Sequence, residues 1–125
     1  MNSILTRQLV ARHPKLLAMP QDSVIAERGI ECCDGWYAII DEMLTGIEQH
    51  YQTIGSSPLA ITQIKEKFGL LRVYTSHSDE SIRAILDAAE QRSAMCCERC
   101  GQEGKLVASP FPQVRCAACF VGSSA

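Results

Sequence analysis

The chain falls in the α+β class: helices packed on a small antiparallel sheet, followed by a cysteine-paired module at the C-terminal end. Three observations predict this. Segments 34–54 and 79–95 repeat apolar residues at spacings of three and four. The stretch between them, 59–76, switches to strand-type residues around a glycine. The last thirty residues hold five of the seven cysteines, four of them in two pairs with two residues between the members. The chain therefore divides into residues 1–95, an α+β domain, and residues 96–125, a ribbon-like module.

Residues 3–12 form a short helix, with Ile4, Leu5, Leu9 and Val10 at helical spacing and Ser3 as its N-cap. Pro14 biases His13 away from helical geometry and ends it, and a further helical turn is possible through Leu16 and Leu17. Pro20 to Arg28 read as a connector with a short strand at Ser23–Ile25. In 34–54, Asp34 serves as N-cap, where a carboxylate suits the positive end of the helix dipole. Trp36, Ile39, Ile40, Met43, Leu44, Ile47 and Tyr51 make one apolar stripe, and Gly55-Ser56-Ser57-Pro58 stops the helix in a loop. The next segment reads as a hairpin or bent strand pair, with Gly69 at a turn or bulge. Its return strand alternates Leu71, Val73 and Thr75 against Leu70, Arg72 and Tyr74, and one of those faces is core. In 79–95, Ser78 or Asp79 is the cap and Ile82, Ile85, Leu86, Ala89 and Met95 are the buried stripe. The residues from Gly122 on read as a frayed end.

Composition narrows the class. The 125 residues are 46% hydrophobic and 21% charged, ordinary values for a globular chain. No apolar run is long enough to span a membrane, and Met1 to Ala11 lacks the order of a signal peptide. A cytoplasmic setting, with thiols kept reduced, is the expectation. An odd cysteine count fits a metal site plus free thiols better than a disulfide framework.

Cys97-Glu98-Arg99-Cys100 is followed by fifteen residues and then Cys116-Ala117-Ala118-Cys119. Two residues between cysteines let both sulfurs reach one ion from a tight turn whose N–H groups face the thiolates. Zn²⁺ prefers four such ligands in a tetrahedron. Gly101 suits the positive φ that finishes a knuckle. Lys105 to Ser109 reads as a strand, Pro110-Phe111-Pro112 as a turn and Gln113-Val114-Arg115 as the returning strand. The expected layout is a zinc ribbon with Cys97, Cys100, Cys116 and Cys119 as ligands. Iron also accepts four thiolates. Cys96 competes for the first position, but Cys97 repeats the spacing of the second pair. Four protein ligands leave no open coordination position, which argues against catalytic zinc.

Cys32-Cys33-Asp34-Gly35-Trp36 holds two thiols at a helix start, where a lowered pKa would make them reactive. Small apolar core residues are the favoured reading. Lys65, Lys67 and Arg72, with Phe68 and Tyr74, suggest a basic hairpin face for a single strand, although such charges are ordinarily a solvated face with core aromatics. His13, His50 and His77 have no acidic or nucleophilic neighbour in sequence and read as surface or capping residues. With no phosphate loop, nucleophile elbow or paired-carboxylate motif, no enzyme and no small-molecule substrate are expected.

The segments Asp34-Gly35-Trp36-Tyr37, Lys65 to Tyr74 and Cys97-Glu98-Arg99-Cys100-Gly101 together resemble a family of small proteins encoded by bacteria, phages and prophages. The resemblance runs from about Arg12 to Cys119 and implies accessory genes whose products block or modulate host machinery. The expected function is a zinc-stabilised protein–protein interaction module, an inhibitor of a host defence complex of the anti-CRISPR kind. Its partner would be a host or phage protein complex. The net charge of −2, which falls to −4 with four thiolates and one Zn²⁺, supports this over polyanion binding. Glu27, Glu31, Asp41, Glu42 and Glu48 are candidate acidic contacts. Nucleic-acid binding through the ribbon or hairpin is the alternative. The ribbon carries Arg99, Lys105 and Arg115 against Glu98 and Glu103, a surplus of one cation before the metal site is counted.

Overall fold

The computed structural model describes residues 1–17, 24–54, 59–108 and 110–123. Asn2, one residue before the expected cap, opens α1 (Ser3–Arg12): its Oδ1 accepts the N–H of Leu5 at 2.9 Å. From the expected stripe, Leu9 is fully buried while Ile4 is exposed. Pro14 starts a one-turn helix, α2 (Pro14–Leu17), that buries Leu16 and Leu17.

The strand expected at Ser23–Ile25 is instead the start of a short helix, α3 (Val24–Arg28), and Ser23 itself lies outside the described residues. Gly29 explains the stop. At φ +70° it donates its N–H to Ile25 O at 2.8 Å, a left-handed cap that only glycine adopts easily.

The major helix begins with a 3₁₀ turn at Asp34–Trp36 and continues as α4 (Tyr37–Ile54). Asp34 does not cap it. Its carboxylate is taken by Asn2, whose N–H and Nδ2 donate to it at 2.8 and 2.9 Å. All seven residues of the expected stripe are buried and form the centre of the core. The loop expected at Gly55–Pro58 lies outside the described residues.

β1 (Ile61–Lys67) and β2 (Leu70–Thr75) pair antiparallel around Phe68-Gly69, both at positive φ. Ile61 and Ile64 are three apart yet both fully buried. An extra residue in β1 between Ile61 and Gln63 restores the phase. Leu71 is buried and Val73 packs on the core, so that face of β2 turns inward. Glu31 bridges to the far edge of β1: its N–H donates to Ile64 O at 2.9 Å and its carbonyl accepts from Glu66 N–H at 3.0 Å.

Asp79 caps α5 (Glu80–Ser93), its Oδ1 accepting the N–H of Ile82. Ile82 and Ala89 are buried, but Met95 lies beyond the helix end and is exposed, against expectation. β3 (Lys105–Val107) and β4 (Gln113–Arg115) pair antiparallel, with Leu106 opposite Val114. A helix not expected from the sequence, α6 (Ala117–Ser123), comes next. It starts on two alanines, strong helix formers, and carries the chain through Gly122 and Ser123, where fraying was expected. The architecture is α+β. No helix among the described residues is long and apolar enough to cross a membrane.

Candidate metal centre

Two turns bring the sulfurs together. In the first, Gly101 N–H donates to Cys97 O at 2.9 Å with Gly101 at φ +84°, and Cys97 N–H reaches Gln102 O at 2.7 Å. In the second, Cys116 precedes α6 and Cys119 lies within it, so Cys119 N–H points at Cys116 Sγ, 3.4 Å away. The four ligand atoms of Cys97, Cys100, Cys116 and Cys119 lie within 4.8 Å of one another. The sulfurs of Cys100 and Cys116 are 3.6 Å apart. Metal–sulfur arms of about 2.3 Å in a tetrahedron give sulfur separations of about 3.8 Å, so this is a group able to hold a metal ion. Cys96 is not part of it. Its thiol faces Gly35 O at 3.5 Å and Gly101 O at 3.6 Å.

The thiols differ in acidity. Burial raises Cys97, but hydrogen bonds from the backbone N–H groups of Cys116, Cys100 and Arg99 outweigh it and bring the thiol down to about 6. Cys116 is lowered by the N–H of Cys119. Cys119 is pushed up, chiefly by its hydrogen bond to the Cys116 sulfur. The turns thus favour negative sulfur at Cys97 and Cys116, the form a metal requires.

A buried ion pair joins the two turns. Glu98 follows the first ligand and Arg115 precedes the last pair, and both are at most 8% exposed. Arg115 donates to Glu98 Oε1 at 3.4 Å and to Val114 O at 3.0 Å, while Glu98 Oε2 accepts Cys33 N–H at 2.9 Å. Glu98 and Arg115 are therefore not the free ribbon charges that the sequence suggests. Glu98 finds its partners 17 and 65 residues away, which no local pattern announces.

The Asp34-Gly35-Trp36-Tyr37 segment seats the ribbon. Gly35 N–H donates to Glu98 O at 2.7 Å and Trp36 Nε1 to Cys96 O at 2.9 Å. A Cβ on Gly35 would fall 2.2 Å from Cys97 O, so only glycine fits there.

Cys32 is buried, and burial pushes its thiol up to about 12; Cys33 is raised by burial and by Glu98. Burial thus disfavours the thiolate form at both. Arg72 is paired with Glu90, while Lys65 and Lys67 lie over the rings of Tyr74 and Phe68 at 5.9 and 5.8 Å. Phe68 and Tyr74 are exposed rather than core. His13, expected as a surface or capping residue, is the C-cap of α1 but is buried rather than at the surface: its Nδ1 meets Glu48 and its Nε2 meets Asp41, each at 2.6 Å. His50 faces Asp79 at 3.4 Å and His77 faces the Tyr51 hydroxyl at 3.5 Å. Of the acidic candidates, Asp41 and Glu48 hold His13, Glu42 pairs with Arg92 and Glu31 accepts from Gln63, which leaves Glu27 exposed. Comparison with protein-family models, curated proteins and solved structures finds no match to this chain.

Proposed function

We propose that this chain is a binding protein whose ribbon is stapled by one zinc ion on Cys97, Cys100, Cys116 and Cys119, and that it acts by docking on another protein. Four thiolates in a closed tetrahedral set suit zinc in a structural role. The ribbon's paired strands are three residues each, and Val114 is their one fully buried apolar residue while Leu106 is half exposed. Metal–sulfur bonds supply the cohesion that so small a core lacks.

One observation carries the docking half. Large apolar side chains stand in solvent around the joint between hairpin and ribbon. Gly69 packs so tightly there that a Cβ would lie 2.6 Å from Leu106 Cδ1. Around it, Phe68 is 68% exposed, Leu106 50% and Phe111 82%. Exposed aromatics grouped on a molecule that already has a formed core are characteristic of protein interfaces. From the family resemblance we infer the setting: a phage- or prophage-borne protein whose partner is a host defence complex, as for an anti-CRISPR. Nucleic-acid binding is the second reading, favoured by Lys65 and Lys67 over exposed rings. It is weakened because Arg72 and Arg115 are spent on Glu90 and Glu98.

Purified zinc-loaded chain used as bait on host lysate tests the reading against a Phe68→Asn/Phe111→Ser variant. A stoichiometric protein complex that the variant loses is expected. Equal capture by the variant contradicts it. A salt-sensitive oligonucleotide complex abolished by Lys65→Glu/Lys67→Glu would establish the second reading instead.

A further inference from the structure

One edge of β2 is open, and the hydrogen bonds around the sheet show which groups it offers. Glu31 bonds to Ile64 and Glu66 on the far side of β1, so the main-chain groups of those two residues point away from β2. In an antiparallel ladder, opposite residues share their direction type. Val73 and Leu71, opposite Ile64 and Glu66, therefore point away from β1. Two further bonds agree. Leu71 N–H donates outward to Ser93 Oγ of α5 at 3.0 Å, and Ser76 N–H, of the other parity, donates inward to Ala60 O at 2.8 Å. Ser93 closes the edge at Leu71. The outward N–H and C=O groups of Val73 and Thr75 bond to no other group among the described residues. Beside them runs a groove of about 330 Å³ between β2 and the Arg83, Leu86 and Asp87 side of α5.

We propose that this groove takes an extended segment of a protein partner as an added strand on β2, with acidic and apolar residues alternating along it. The proposal rests on the protein-docking reading above and names the partner's chemistry. An added strand follows the pleat of its neighbour. Its residue beside Val73 points to the core side, where Val73 and Leu86 present apolar surface. Its flanking residues point to the outer side, beside Arg72 and Tyr74, with Lys65 across from Arg72. Arg72 is already held by Glu90 and Asp87 also lines the groove, so the cations left for the incoming strand are Lys65 on the outer face and Arg83 on α5, neither with a carboxylate within ion-pair distance among the described residues. Acidic side chains on the incoming strand complement these cations.

The test is titration of the ¹⁵N-labelled, zinc-loaded full chain with the capped peptide acetyl-Glu-Val-Glu-Val-Glu-amide. In the free protein the amides of Val73 and Thr75 should exchange with solvent about tenfold faster than those of Arg72 and Tyr74. The peptide should shift and slow those two amides, and a Lys-Val peptide should not. Val73→Pro removes the outward donor and leaves the inward bonds of an edge strand intact, so it should abolish binding. If that variant fails to fold by circular dichroism, Arg83→Glu decides, with an expected weakening of about tenfold. Unchanged exchange at Val73 and Thr75 overturns the proposal. So do shifts confined to Lys65 and Lys67, or equal slowing by oligodeoxythymidylate. A protein partner bound equally by wild type and Val73→Pro overturns the groove and leaves the docking reading standing. Failure to capture any partner bears on the docking reading alone, since the peptide titration decides the groove independently.

Discussion

His13 lies between α1 and α4 with a carboxylate 2.6 Å from each ring nitrogen, Asp41 on one side and Glu48 on the other. Arg12 adds a two-point contact to Asp41 at 2.9 and 3.0 Å from an exposed position. Replacing the buried ring with an apolar one leaves two carboxylates facing each other across a gap. His13→Leu should lower unfolding free energy by about 2–4 kcal/mol in urea titration. Arg12→Ala, at the solvent side, should have a much smaller effect. Burial opposes ionisation of Asp41, but hydrogen bonds from Arg12 and His13 outweigh it and hold its carboxyl below the usual 3.8. A lowered folded-state pKa means Asp41 stabilises above the unfolded value, and that contribution is lost as pH falls through the folded one. Acid titration below pH 3.8 should therefore lower the parent's unfolding free energy, and Asp41→Asn should flatten that limb. The histidine latch was invisible in the sequence because its partners are 28 and 35 residues distant. The four metal-site cysteines were visible because each pair is local.

At the scale of elements, the hairpin turn is the informative strain. Phe68 occupies a left-handed conformation, φ 54°, which a bulky residue adopts at a cost of about 1 kcal/mol, and it does so while mostly exposed. The ring's cation–π contact with Lys67, 5.8 Å from its centroid at an exposed site, offsets that cost only in part. Phe68→Asn creates Asn-Gly, the pair that fits two successive positive φ values. It should raise stability by about 0.5–1 kcal/mol in thermal melts while weakening partner binding. Equal or lower stability would show that the turn holds no such strain. The ribbon's attachment rests on the buried Glu98–Arg115 pair and the Cys33 N–H it holds. Glu98→Gln should cost about 3 kcal/mol and loosen residues 96–120, read by hydrogen exchange. Among elements, α4, α5, the hairpin and the ribbon strands were legible because period and glycine placement are local signals. The short helix α3 was misread because its stop signal, Gly29, comes after only five residues. The helix α6 was missed because a Cys-x₂-Cys pair dictates a tight turn and leaves the conformation of the next residues open.

At the scale of the molecule, the core and the ribbon depend on each other unequally. The α4 stripe, the hairpin and α5 share one hydrophobic cluster, whereas the ribbon adds Val114 and Cys97 and is seated through Gly35, Trp36 and Glu98. Loss of the metal should unfold the ribbon first and uncover Trp36, leaving the α4–α5 core cooperative. Thiolate ligation also makes metal retention pH-dependent, with protons displacing the ion as pH falls. The most direct test of the metal staple is the metal content of reduced, purified chain by elemental mass spectrometry, paired with the melting curve of Cys100→Ser/Cys119→Ser. One zinc per chain is predicted, with the variant metal-free and melting at a clearly lower temperature. A chain without stoichiometric zinc, or a variant that melts like the parent, would contradict it.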